Sequence, residues 1–297
     1  AGLIKGASKG EGLGNQFLGH IRSVDAVAHV VRCFADENVV HVDGEVDPIR
    51  DIDTIETELL LSDLESIQKT KKKYEKNARS GCKTSKTQVE VIDKLENHLN
   101  EGNPARSFEL DVDEEIVAEI FSPLLSRKPV LYVCNVSEDD IARDFDENGS
   151  HAMDKVYNRA MSVGAECVAI SGKVEAELSE LEIEEKLEYL KEYSLDKSGL
   201  DRLILAGYEL LSLITFFTIG PKEAHAWTCK NGSKAPQAAG KIHSDFEKGF
   251  IRAEVISYED YEKHGSEVKV KEAGRMRVEG KDYLVADGDV VHFRFNV

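Results

Sequence analysis

The sequence predicts an α/β protein with a largely parallel sheet, an inserted helical hairpin and a separate small α+β domain at its carboxyl end. Three observations carry this. Apolar, β-branched runs alternate with helical stripes over the first two thirds of the 297 residues. Two narrow apolar stripes flank a polar Ser80-Gly81 break. From Phe216 the texture changes to short apolar runs separated by glycine turns.

Taken in order, AGLIKGASKGEGLGN holds five glycines in fifteen residues and reads as a loop. Phe17 to Ser23 reads as a short helix, and Ala26 to Phe34 as a buried strand without a breaker. Pro48 closes the next loop, and Asp51 or Asp53 is positioned to cap a long helix. Ile52, Ile55, Leu59, Ile67 and Tyr74 form its stripe. Val91, Ile92, Leu95 and Leu99 form a second stripe, ending at Gly102-Asn103-Pro104. The pair suggests an antiparallel hairpin projecting from the body. Further on, Asp113 to Leu125 reads as helix, Pro129 to Asn135 as strand, Ala152 to Val163 as helix and Glu166 to Ser171 as strand. Glu175 to Tyr193 is an acidic helix and Leu200 to Thr215 an apolar one. Strands are expected at Ala224 to Cys229, Gly249 to Ser257, Asp282 to Val285 and Val290 to Phe295. The expected domains are 1–50 and 113–212 for the α/β body, 51–112 for the hairpin and 213–297 for the last domain.

Acidic residues outnumber basic ones 56 to 38, for a net charge of −18. Such a surface repels phosphate backbones, so a nucleic-acid contact needs a local basic patch. One exists. Lys69, Lys71, Lys72, Lys73, Lys76, Arg79, Lys83 and Lys86 face only Glu75 over eighteen residues. A polyanion contact and a solvated helix end explain this run equally well. The five cysteines are scattered and read as reduced thiols, with neither a zinc site nor a disulfide framework. No apolar run reaches membrane-spanning length, and no secretory signal opens the chain.

Two glycine patterns fail on inspection. Gly10-x-Gly12 would need a third glycine where Asn15 stands. Gly14 to Gly19 has phosphate-loop spacing, but His20 and Ile21 replace the Lys and the Ser/Thr. The pattern Asn135-Val136-Ser137-Glu138 is more informative, because it follows a strand where α/β sheets bind ligands. It can present an amide and a carboxylate to a base edge, although an Asn there is also a common turn former. Ser171-Gly172 adds a second loop on the same rim. His243, Asp245 and Glu247 lie close together, and His243 is better placed to order a turn than to form a second catalytic site.

The order AGLIKGASKGEGLGN, HVVRCF, VDPIRDI, NVSE and KAPQAAGKIHSDFEKGFIRAEV resembles the Obg-like ATPase family, the YchF subfamily of translation-factor-related P-loop NTPases, from Ala1 to Val297. The resemblance implies a P-loop nucleotide domain interrupted by a helical hairpin and followed by a β-grasp module of the TGS type. It implies ATP and Mg²⁺ as cofactors and a ribosome or ribosomal RNA as partner. The expected protein is a cytoplasmic monomer with no DNA sequence recognition and no membrane association. The opening resembles switch II, with Gly2 sensing the γ-phosphate and Leu3 where Ras-like GTPases carry a water-orienting Gln. NVSE resembles the base-recognition loop, with Val136 and Glu138 replacing the Lys and Asp of Asn-Lys-x-Asp, a change associated with ATP. Asn135, Val136, Glu138 and Phe34 would surround the base, with Ser171 and Gly172 as the far wall. The eight basic residues of the hairpin would meet RNA. Because the resemblance starts inside switch II, the phosphate loop and magnesium ligands are expected before Ala1, with no metal site in this chain and no catalysis by it alone. The competing reading is an RNA or ribosome adaptor in which nucleotide only gates binding.

Overall fold

The computed structural model describes residues 13–36, 38–39, 44–109, 119–220 and 223–296. They form two compact units, Ala1–Gly207 and Tyr208–Val297. The first contains α1 (Leu13–Ser23), β1 (Val27–Arg32), α2 (Pro48–Arg79), α3 (Lys83–Asn100), β2 (Val130–Asn135), α4 (Ala152–Ser162), β3 (Glu166–Ile170), α5 (Gly172–Ser179) and α6 (Ile183–Glu192). Helix α7 (Gly199–Leu210) runs into the second.

The three strands are parallel in the order β1-β2-β3, with Val27 opposite Val130 and Leu131 opposite Glu166. Central β2 is buried at every residue before Asn135, as a parallel strand covered on both faces must be. Val31, Tyr132, Cys134 and Ala169 from the sheet meet Ile52 of α2 and Val156 and Ala160 of α4 in one core. Because the strands are parallel, their carboxyl ends share one rim.

Helix α2 starts earlier than its acidic residues suggest. Asp47 is the cap, its Oδ1 accepting from the amides of Ile49 (3.1 Å) and Arg50 (3.2 Å). Pro48 is the first helical residue and not a loop closer, because a proline there gives up no hydrogen bond and has its φ already set. The helix has 32 residues, about 48 Å of rise. It begins beside the rim and runs back past the sheet, where Leu59 meets Ile21 and Leu125 ahead of β1 and β2. Gly81, at φ +95°, makes the turn into α3.

The hairpin seam is not closed by two helices alone. Leu60, Ile67, Tyr74, Val91, Ile92, Leu95 and Leu99 also pack against Ile120, Phe121 and Leu124. Buried Asp63 fastens that segment, accepting from the amides of Leu125 (2.7 Å) and Ser126 (2.8 Å) and from the Ser126 hydroxyl (2.6 Å). Most of the helix expected at Asp113 to Leu125 lies outside the described residues, and its described end is helical only through Phe121.

Two other expectations need correction. The acidic stretch from Glu175 is two helices, broken at Glu180–Glu182, where the Glu182 amide turns to the Glu185 carboxylate (3.2 Å). The apolar helix from Leu200 stops at Leu210. Ser212 takes a left-handed turn (φ +49°), and Leu213–Ile219 is β4. Its β-branched and aromatic residues suit a strand.

The second unit continues with β5 (Ala224–Lys230), α8 (Ala235–Ile242), α9 (Ser244–Lys248), β6 (Phe250–Ile256), α10 (Tyr258–His264), α11 (Glu267–Glu272), β7 (Arg277–Glu279) and β8 (Val290–Phe295). Its sheet order is β5-β4-β8-β6-β7, with β4 and β8 parallel and the other pairs antiparallel. Helix α8 lays Ala235, Ala238 and Ala239 on Phe216, Ala253, Val255 and Phe293, a helix grasped by a mixed sheet. Asp282 to Val285 is not a strand; only Leu284 bridges, to Lys234. The His243 ring does order its turn, with Nδ1 accepting from the Asp245 amide at 3.1 Å.

Candidate functional site

Three loops leave the rim, and hydrogen bonds tie them to one another. Asn135, the last residue of β2, accepts the Gly172 amide on its side-chain Oδ1 at 3.0 Å. Its backbone carbonyl accepts the Cys33 amide at 2.8 Å, which joins the loop after β1. The Val136 amide donates to the Ile170 carbonyl at 2.8 Å. Beyond it, the Ser137 hydroxyl donates to Asp140 at 2.7 Å and tightens the turn. Glu138 reaches across to α5, where its Oε1 lies 2.7 Å from Lys173 Nζ. On the β1 side, the Arg32 guanidinium covers one face of Phe34 at 4.8 Å. It also donates to the carbonyls of Phe34 (3.1 Å) and Val39 (2.9 Å).

The structure therefore brings Asn135, Glu138 and Gly172 together, with Phe34 on the neighbouring loop. Val136 and Ser171 do not face the rim, being 2% and 1% exposed. They contribute backbone, and the Val136 side chain belongs to the sheet core. Gly2 and Leu3 lie outside the described residues. Sequence reasoning missed Lys173 and Arg32. The signal for Lys173 was available: a cation at the second residue of a helix sits against the positive end of the helix dipole unless an anion answers it. Among the described residues, no group of His, Cys, Asp and Glu is arranged to hold a metal ion. None of the described helices is long and apolar enough to cross a membrane.

At the far end of the hairpin, Lys69, Lys72, Lys73, Lys76, Arg79, Lys83 and Lys86 are exposed. The first five follow helical spacing along one side of α2. Lys71 is different. Its ammonium lies 2.7 Å from both Asp93 and Glu96 of α3, so it closes the hairpin and does not belong to the free patch. Hydrogen bonds to those carboxylates raise its pKa.

Over all 297 residues the chain is 50% identical to the ribosome-binding ATPase YchF of Bacillus subtilis, spanning 80% of that protein. It is 48% identical over the same length to the ribosome-binding ATPase YchF of Haemophilus influenzae, again 80% of it. The chain belongs to the YchF family. The solved YchF GTPase of Schizosaccharomyces pombe shares the fold, with a TM-score of 0.81 and 37% identity over 99% of this chain and 78% of that one. A family model described as YchF-GTPase_C, protein of unknown function (DUF933), matches residues 213–296. The P-loop NTPase class with a C-terminal α+β domain, which the resemblance implied, is thus the YchF fold. The names of these YchF relatives differ on one point, ATPase in the bacteria and GTPase in the yeast.

Proposed function

We propose that this protein binds and hydrolyses ATP as a conformational switch and acts on the ribosome in the cytoplasm. The observation that carries the reading is the Asn135–Gly172 hydrogen bond. It fixes a side-chain amide at the mouth of the rim while leaving the Nδ2 hydrogens and a second Oδ1 lone pair available. That donor–acceptor pair matches the N7 and N6 groups of adenine. The names of the bacterial relatives support both ATP and the ribosome. Phe34 would offer its free face to the base, and the backbone of Val136, Ser171 and Gly172 would complete the wall. Gly2 and Leu3 would meet the γ-phosphate end, and with an aliphatic Leu3 in place of Gln the attacking water must be oriented by other groups. Magnesium would be carried with the nucleotide, and no ligand for it is assigned among the described residues. The seven exposed basic residues of the hairpin would meet ribosomal phosphates. Hydrolysis of ATP by the full-length protein, measured with and without purified ribosomes, tests the reading. Slow turnover accelerated by ribosomes is expected, and no turnover in either condition would overturn it.

A further inference from the structure

Glu138 carries a feature that an isolated base-recognition loop would not show. Its carboxylate is engaged by Lys173 Nζ at 2.7 Å, from the second residue of α5. The Glu138 side chain is 30% exposed and that of Lys173 is 69% exposed, so the pair sits at the mouth of the rim and not beneath it. Next to it, Asn135 Oδ1 is already fixed by the Gly172 amide.

We infer that Lys173 is a base-selecting residue, which engages the Glu138 carboxylate and so turns the rim from guanine toward adenine. The inference rests on the reading that the loop from Asn135 to Glu138 meets the base. Guanine presents two adjacent donors, N1–H and the N2 amine, and satisfying both requires both oxygens of one free carboxylate. With one oxygen held by an ammonium, that bidentate pairing is available only after the ion pair is broken. Adenine presents an acceptor at N1 and no amine at C2. A bare carboxylate would repel that N1 lone pair, and a carboxylate neutralised by Lys173 repels it less. The cation therefore works in the same direction on both bases. The identity of residue 138 fits this role, since glutamate reaches one methylene further than aspartate. The Lys173 pKa is raised, first through its hydrogen bond to Glu138.

The test is equilibrium competition between ATP and GTP for a fluorescent nucleotide on the full-length protein. The variants are Lys173→Met, Glu138→Gln and the two together. Met keeps the aliphatic stem of an exposed residue, and thermal melts check that each variant is folded. Lys173→Met should improve GTP binding relative to ATP by roughly two- to fivefold, the scale of an exposed ion pair. The gain should vanish in the Glu138→Gln background, where no carboxylate is left to free. If Glu138→Gln alters the ratio and Lys173→Met does not, Lys173 has no part in selection, while the loop still reads the base. If Asn135→Ala and Glu138→Gln both leave ATP and GTP affinity unchanged, the loop does not meet the base and both readings fall.

Discussion

Glu56 Oε1, on the first helix of the hairpin, accepts a 2.8 Å hydrogen bond from the hydroxyl of Tyr132 in the central strand. The same carboxylate receives Arg106 on Oε1 and Arg159 of α4 on Oε2, each at 2.7 Å. One side chain thus ties the hairpin, the segment after it, the sheet and a flanking helix together. Burial opposes ionisation of Glu56, but the Tyr132 hydrogen bond and the two guanidinium groups outweigh it and hold its pKa below the ordinary value.

Removing that charge should be costly. Glu56→Gln leaves the Arg106 guanidinium, 15% exposed, without its counter-charge and leaves Arg159 with Asp53 alone at 3.3 Å, which should destabilise the first unit by about 3 kcal/mol. Tyr132→Phe removes one hydrogen bond and should cost about 1 kcal/mol or somewhat more. Urea denaturation at neutral pH measures both. Since the folded-state pKa of Glu56 is depressed, its contribution is full above the unfolded carboxylate pKa and is lost as pH falls through the folded value. Equal midpoints for the wild type and Glu56→Gln would remove the network from the account of stability.

The His29 ring lies tilted against Tyr132, with ring centres 5.7 Å apart and an interplanar angle of 30°. Burial lowers its pKa from 6.5, more strongly than Glu56 and Asp51 raise it. Below that ordinary value the unfolded chain takes up a proton that the folded chain resists, so stability should fall as pH drops from 7 toward 5. His29→Phe should flatten the decline. Parallel stability–pH curves for the two proteins would show that His29 does not contribute to it.

The hairpin makes a sharper prediction than its composition did. Replacing Lys69, Lys72 and Lys76 by Glu should leave the melting temperature nearly unchanged. It should flatten the salt dependence of ribosome co-sedimentation by about two log–log units, at roughly 0.7–0.9 per phosphate. Lys71→Ala should do the reverse, costing up to about 1 kcal/mol through loss of its bonds to Asp93 and Glu96 with little effect on the slope. Superimposable salt series for the triple variant and the parent would remove the hairpin from the ribosome contact.

His243 caps α9 through the Asp245 amide. His243→Ala should cost the second unit about 0.5–1 kcal/mol. Single-turnover ATP hydrolysis should not change. Normal melting with lost hydrolysis would assign the ring a role other than this cap.

Much of this structure is legible in the sequence where burial writes a periodic pattern. The β-branched runs became β1, β2 and β3, and the stripes ending at Tyr74 and Leu99 became the hairpin. The step from Leu210 to Leu213 was obscured because an apolar helix and a buried strand share the same composition, and only Ser212 marks the change. Caps were harder, since Asp47, Asp51 and Asp53 are chemically alike and the choice depends on Pro48. The rim was legible as far as Asn135, Glu138 and Gly172. Lys173 is 35 positions from Glu138, so no local spacing announces the pair. Lys71 likewise stands in a run of identical neighbours, and only the arrival of Asp93 and Glu96 from α3 sets it apart. Val136 looked like a base contact because of its place in the motif, whereas strand alternation carries its side chain into the core.

The most direct test of an adenine-reading rim is the dissociation constant of ATP against that of GTP on the full-length protein, measured before and after Asn135→Ala. The wild type should prefer ATP by about tenfold or more, the scale of one or two hydrogen bonds to a base edge. Asn135→Ala should weaken ATP binding and erase most of the preference, because it removes both the N6/N7 partner and the anchor to Gly172. Equal affinities in the wild type, or a preference that survives the substitution intact, would contradict the account.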